Sequence, residues 1–425
     1  MKQDRHNKRR STRWVAILAG CVLAAITLAA CGAGNSGTSA SSSGSGKSSG
    51  GSGGKSDFVV GTVQPLTGVY GAAGLDIVHA LKAEASIINA KGGILGHPVK
   101  IVAVDDASNP QTAISATQEL ISSNSLNMFE PDVIYGATQL PLTKNILSVN
   151  ICGSAECSDA SKYPLDFSLN PPAGAQVPPL IAYAKQHGYT KVGILATNDA
   201  AGTYFTQTVT TDAKAAGLTV VGSQSFSPTA TDISAEVQAL KGSGAQTVLT
   251  WAAGATIGVV MKGMQAVDYT VPVLGTPTVF TAPVAQLVPA PVQKQLTCLC
   301  YAVGIRTGAT APAVLQPLVS RVTKYGPIAS MMVVGLAADT LELANYGFTK
   351  AGSLDPKAAA TAIQGIGSAS NYPGTDFWSY RTKAPEFTAT NHAPASGPLS
   401  QGFYGVAKVS PLVDGMYLGT YPFKY

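Results

Sequence analysis

The sequence predicts an α/β protein built as two doubly wound parallel-sheet lobes with helices on both faces. Three observations lead there. Short apolar runs rich in β-branched residues alternate with longer runs of helical periodicity. The alternation comes in two series, separated near residues 168–179. And the chain has 425 residues, 45% of them hydrophobic and only 12% charged, which is ample to bury a core without disulfide staples.

Residues 58–63 read as a short buried strand. Ile77, Val78, Leu81, Ala85 and Ile88 then recur at helical spacing until Gly92-Gly93 stops the helix. Residues 99–104 form a second strand. Asn109 and Pro110 open the next helix as N-cap and first-turn proline, with Ile114, Leu120 and Ile121 on its apolar side. Residues 132–135 make a third strand. In the second series, strands at 191–196 and 218–222 flank a helix over about 203–216. Asp232 caps a helix with Ile233, Val237 and Leu240 inside, and strands at 247–251 and 271–274 follow. Strands alternating with helices imply parallel sheets covered on both faces, and such folds bind ligands where strands end in loops.

The formal charge of +5 is confined to the first thirty residues, where Lys2, Arg5, Lys8, Arg9, Arg10 and Arg13 outnumber Asp4. The rest balances to zero, so nucleic-acid binding has no basic patch to rest on. After Arg13 come 17 uncharged, largely apolar residues ending in Leu28-Ala29-Ala30, followed by Cys31-Gly32. A basic stretch, an apolar run and small residues describe a secretory signal over residues 1–30. The cysteine at its end resembles the lipobox of bacterial lipoproteins, which implies that Cys31 is acylated and becomes the new N-terminus. An uncleaved membrane anchor is the alternative, at the lower limit of spanning length. Arg9-Arg10 leaves the export route open. The stretch 31–56 is almost entirely Gly, Ser, Ala and Thr, a disordered linker with an end-to-end distance of roughly 25–30 Å. Its two Gly-Lys-Ser triplets lack the first glycine of a P-loop, since Ser41 and Ser49 stand there, and neither follows a strand.

The stretch Ile88-Asn89-Ala90-Lys91-Gly92-Gly93-Ile94-Leu95-Gly96-His97-Pro98-Val99, followed by Val104-Asp105-Asp106 and Asn109-Pro110, resembles the branched-chain amino-acid (Leu/Ile/Val) binding proteins of ABC importers. These are type I periplasmic binding proteins. Pro65-Leu66-Thr67-Gly68 fits the same family, as does the order of elements through about Thr278. The resemblance implies two lobes joined by three crossovers, near 168–172, near 298–306 and within 376–398, closing on a small ligand like a hinge. Lobe I would comprise 57–170 plus about 307–385, and lobe II 171–300 plus about 400–425. The implied protein is a monomeric, extracytoplasmic solute-binding lipoprotein, lipid-anchored at the outer face of the cytoplasmic membrane. It would capture a branched-chain amino acid or a related amide or carboxylate and deliver it to an ABC permease, with no enzymatic activity, cofactor or metal.

In that family, loops of the first lobe hold the ligand carboxylate through Ser and Thr hydroxyls and backbone amides. The corresponding loop here, 136–141, lacks the serine run: Leu140 stands near a serine position, with Thr138 and Gln139 as donors. In the next loop, 152–157, Ser154 matches a backbone-contact position and Glu156 a position that is usually Thr. From the second lobe the family clamps the ammonium with an acid and frames the side chain with tyrosines. Around 275–278 the acid is absent, and Gly254 and Ala201 replace the aromatics. Ala73, Thr276 and Thr278 complete the candidate pocket, and Tyr70 and Tyr204 are each either a cleft aromatic or plain packing. Asn198 and Asp199 follow the strand at 191–196, where binding residues gather, although Asp199 also suits a helix cap. Trp251, ending a strand, reads as core. Burying an ammonium unpaired is very costly. Either Glu156 supplies its acceptor from the opposite lobe, or the ligand is not an ordinary amino acid.

Apart from Cys21 and Cys31, four cysteines remain, and an even number in an exported protein favours disulfides over metal. Cys152 with Cys157 closes a short loop and is the first expectation. Cys298 and Cys300 are expected to stay reduced or to pair across to the 152–157 loop. A zinc site of four thiolates lacks the CxxC spacing. The five histidines are scattered, and there is neither a Gly-x-Ser-x-Gly elbow nor a dinucleotide glycine motif, so catalysis has little support. Two rivals remain: a ligand-sensing module of a membrane signalling system and, less favoured, a surface hydrolase.

Overall fold

The computed structural model describes residues 55–366, 387–394 and 403–424. The stretch expected to be a signal and almost all of the expected linker lie outside them, as does most of the stretch expected to hold the third crossover. The first sheet has five parallel strands in the order β2-β1-β3-β4-β5: β1 Phe58–Gln64, β2 Val99–Asp105, β3 Met128–Glu130, β4 Leu147–Asn150 and β5 Asp166–Ser168. Helix α1 (Gly71–Ala90) packs on β1 and β2, and α2 (Pro110–Ser123) on the same strands with α3 (Gly136–Thr143) beside it.

The turn from α1 into β2 shows why the glycine-rich motif reads as it does. The Asn89 side chain takes both edges of Val99, accepting from its N–H at 2.6 Å and donating to its carbonyl at 2.9 Å. Gly92 and Gly93 sit at φ +101° and +77°, where a side chain is strained. The chain therefore reverses within a few residues and pairs Phe58 with Val99 in parallel register. At the start of α2, Asn109 caps as expected, its side chain accepting from the N–H groups of Gln111 and Thr112.

After β5 the chain passes through α4 (Val177–Gln186) to the second sheet. There β6 (Lys191–Thr197), α5 (Ala200–Ala215), β7 (Thr219–Phe226), α6 (Ser234–Ser243), β8 (Thr247–Trp251), α7 (Thr256–Ala266), β9 (Val273–Gly275), α8 (Val284–Leu287), β10 (Leu296–Tyr301) and β11 (Ile305–Arg306) follow in turn. The chain then returns to the first sheet's side. Helices α9 (Gln316–Val322) and α10 (Met331–Ala351) pack on α1, and α11 (Pro356–Gln364) packs on α10 and β4. Finally β12 (Tyr404–Lys408) and β13 (Tyr417–Thr420) rejoin the second sheet, whose order is β11-β13-β12-β10-β9-β8-β6-β7. Strands β6 to β10 are parallel, and β12 runs antiparallel to both β10 and β13.

Asp76 of α1 fixes the start of α10. Its carboxyl oxygens accept from the backbone N–H of Ala329 (3.1 Å) and Ser330 (2.7 Å), while Met331 N–H reaches Gly415 O at 2.8 Å. Further along, Thr340 donates to the buried Glu130 at the end of β3 (2.7 Å).

Several expectations are corrected. The third strand is Met128–Glu130, not 132–135. Pro131 follows it without an N–H for the ladder, and Asp132 Oδ1 accepts from the N–H groups of Ile134 and Tyr135, folding that segment into a turn. The loop expected at 136–141 is helix α3, despite Pro141. Strands β4 and β5 escape an apolar-run reading because Ser148, Asn150, Asp166 and Ser168 make them half polar. On α2, Ile114 and Ile121 are half-buried, and the buried face is Ala113, Ala116, Thr117 and Leu120. Cys298 and Cys300, two apart on one strand face, stand bonded to each other, neither reduced nor joined to the 152–157 loop, where Cys152 and Cys157 meet.

Candidate functional site

A cleft with about 40 Å³ of free space is lined by residues from both sheets. From the first come Tyr70 and Ala73 after β1, Val133 and Ile134 after β3, Ile151 and Gly153 after β4, and Asn170 after β5. From the second come Asp199 and Ala201 after β6, Trp251 and Ala253 at the end of β8, and Thr278 and Thr281 after β9. The first turns of α10 add Met332, Val333 and Leu336. Every loop in the set follows the carboxyl end of a parallel strand, the place where open α/β sheets hold ligands.

Tyr70 is held by its backbone. Its N–H donates to Ser108 Oγ (3.1 Å), and that hydroxyl donates to Thr67 O (2.7 Å). Asp105 organises the same loop, accepting from the N–H of Leu66 (2.9 Å) and the hydroxyl of Thr67 (2.7 Å). The N–H groups of Thr67 and Ala107 also donate to it, and against the opposing effect of burial these four hydrogen bonds hold its carboxyl below the usual range. The Tyr70 ring is 1% exposed and meets Tyr135 edge-on at 6.2 Å, and its hydroxyl has no partner. Burial, then the charge of Asp199, raises the phenol well above its ordinary range, so it stays protonated.

Most other polar atoms of the cleft are committed. Asn170 accepts from the Tyr301 hydroxyl (3.0 Å) and donates to Ile151 O (3.1 Å). Thr281 Oγ1 accepts from Gly254 N–H (3.0 Å) and donates to Thr278 O (2.8 Å), and the Thr278 hydroxyl pairs with that of Thr276 at 2.7 Å. Asp199 caps α5, with Oδ1 accepting from Gly202 N–H at 2.8 Å. It therefore does both things expected of it, capping a helix and lining the cleft.

Of the residues singled out from sequence, Tyr70, Ala73, Asp199, Ala201 and Thr278 are thus brought together, as is Trp251, which had read as core. The others stand elsewhere. Thr138 is exposed and donates to Tyr135 O, while the buried Gln139 accepts from Asp132 N–H. Leu140 packs in a small cluster with Cys152, Cys157 and Tyr163. Ser154 is buried, with its N–H on Cys152 Sγ, and Glu156 is exposed on a 3₁₀ turn away from the cleft. Asn198 is exposed, and Thr276 is buried behind Thr278. Tyr204 packs against Gly174. Gly254 lies at φ +58°, beneath Tyr70, and the next N–H, of Ala255, donates across the cleft to Val69 O at 2.8 Å. Trp251 is 3% exposed and packs on Phe205, yet its ring edge also meets Gly153 and lines the cleft. Asn170 and the α10 residues had no local signal; only the return of α10 to the mouth of both sheets puts them there.

A family model described as periplasmic binding protein matches residues 58–396, most of the chain. The chain belongs to the periplasmic binding protein family. That family binds solutes and is not enzymatic. A Leu/Ile/Val-binding protein homolog of Brucella melitensis is 26% identical over 200 residues, 45% of this chain and 54% of that protein. The chain spans about half or less of the length of the curated relatives it matches. A type 1 periplasmic binding protein of Bordetella pertussis superposes with TM-score 0.71 at 19% identity, covering 83% of this chain and 96% of the other. An ABC-transporter solute-binding protein of Rhodopseudomonas palustris, in complex with 4-hydroxybenzoate, superposes with TM-score 0.63 at 20% identity over 73% and 85% of the two chains. Periplasmic binding proteins of this type share the two-sheet architecture described above.

Proposed function

We propose that this periplasmic binding protein captures a small solute outside the cytoplasmic membrane and delivers it to an ABC permease. The observation that carries the reading is the cleft, whose walls come from the carboxyl ends of strands in both sheets, so that one ligand touches both halves. A ligand contacting both halves favours the closed arrangement, and a permease can read that shape. The names of the relatives support the transport role.

The same reading makes residues 1–30 a signal, Cys31 the lipidated residue and 31–56 a tether. The working form is a monomer with a 152–157 disulfide, lobe I running over 57–170 and about 307–385, and lobe II over 171–300 and about 400–425. Thr138, Gln139, Leu140, Ser154, Glu156, Asn198 and Thr276 would then act through neighbouring residues. A thermal-shift screen of amino acids, amides, amines and short acids tests it. A true ligand at a hundredfold excess over its dissociation constant stabilises by about 2.7 kcal/mol and raises Tm by a few degrees. If no small solute in a broad panel moves Tm, solute capture is wrong.

A further inference from the structure

Resting on the solute-binding reading, we propose that the cleft takes a small apolar molecule whose polar end donates hydrogen bonds and bears no negative charge, an amide or a primary amine, and that it rejects carboxylates. The walls are hydrocarbon and aromatic, with Trp251, Met332, Leu336 and Ile134 among them. Against that background one buried side-chain atom among the described lining residues has no partner, the Tyr70 hydroxyl, and half-buried Asp199, whose Oδ1 is committed to Gly202 N–H, brings a carboxylate to the same lining. A buried polar group without a partner is costly, so the Tyr70 hydroxyl is the point a ligand must satisfy.

The Tyr70 hydroxyl can accept or donate, whereas the Asp199 carboxylate only accepts. Among the described residues, no Lys, Arg or His lines the cleft. Asp106 and Asp132 lie buried against each other nearby, and burial, then the neighbouring Asp106, raises the Asp132 carboxyl well above its ordinary range, which leaves Asp199 as the main charge reaching the Tyr70 phenol. A carboxylate entering here would lose its hydration, face Asp199 and find no cation. An ammonium or an amide N–H₂ would instead meet two acceptors, with its hydrocarbon against the apolar wall. The serines that would cradle a carboxylate are absent from the first half, where Gln139 and Leu140 are turned into the protein.

Matched ligand sets test this by calorimetry on the full folded chain: isovaleramide, isopentylamine and isovalerate; phenylacetamide, phenethylamine and phenylacetate; leucinamide and leucine. We expect the amide or amine of a set to bind at least tenfold more tightly than its carboxylate, and leucinamide more tightly than leucine. Asp199→Asn keeps the α5 cap, because Asn caps as well as Asp. Its Tm should therefore stay close to wild type, while amine binding weakens at least tenfold and amide binding much less. Tyr70→Phe should weaken both. A carboxylate or leucine that binds as tightly as its amide overturns the charge assignment and leaves solute capture standing. No binding within these sets, with a Tm shift from another solute class, does the same. No shift from any solute overturns both.

Discussion

Tyr70 is clamped through its backbone and free at its hydroxyl, the combination a recognition residue requires: position fixed beforehand, one polar atom left for the ligand. The buried acids have a different consequence. Burial pushes Asp76 and Glu130 up to about 8 and Asp166 up to about 7. Each binds its proton more tightly in the folded chain than in the unfolded one. Their contribution to stability is complete below the unfolded value of roughly 4 and is lost as pH rises through the folded values. Melting curves from about pH 5 to pH 8 should therefore show Tm falling, and Asp166→Asn should flatten the slope. A Tm that rises steadily over that window would contradict the assignment. At this scale the sequence was only partly legible. Tyr70 and Asp199 could be named because they follow strands, whereas Asn170 and Met332 gain their place only from distant packing.

Helix ends and turns show how local chemistry sets an element. Asn109 satisfies two N–H groups of α2, and its replacement by Ala should cost about 1 kcal/mol, read as a drop in the urea midpoint with an unchanged slope. The Asp76 carboxyl does the same for the start of α10 from another helix. Asp76→Ala should cost more, on the order of 2 kcal/mol, because it leaves two buried N–H groups unpaired. Of the three N-caps expected from local sequence, Asn109 and Asp199 are present, since a cap needs only its own neighbours, whereas α6 starts from Ile233 and Asp232 instead accepts from Ser234 N–H in the turn before it. Strand β3 was misplaced by a few residues because the apolar residues 133–135 attract the reading, while Pro131 and the Asp132 turn rule the segment out. Strands β4 and β5 carry polar residues that are buried by partners remote in sequence, as where Asn150 donates to Asp166 at 3.0 Å.

For the whole molecule, the decisive contact is the approach of two loops across the cleft, where Ala255 N–H meets Val69 O and Gly254 lies under Tyr70. A side chain at Gly254 meets Val69 and Tyr70 and also the strain of positive φ. Gly254→Val should hold the halves apart, with a larger radius of gyration in X-ray scattering, weaker solute binding and an unchanged far-UV circular dichroism spectrum. An unchanged radius and affinity would show that this contact does not govern closure.

What the sequence by itself determined was the alternation of strands and helices, the caps, the glycine-rich turn into β2 and the family resemblance they spell out. All are interactions between residues close along the chain, or patterns of period. The composition of the cleft was decided by tertiary structure, because it gathers loops from seven strands and one helix that are separated by up to some 260 residues. Which polar atoms stay free is decided there too. An asparagine or threonine looks equally available in a sequence, and only the fold reveals that Asn170, Thr278 and Thr281 spend their hydrogen bonds within the protein while the buried Tyr70 hydroxyl is left without a partner.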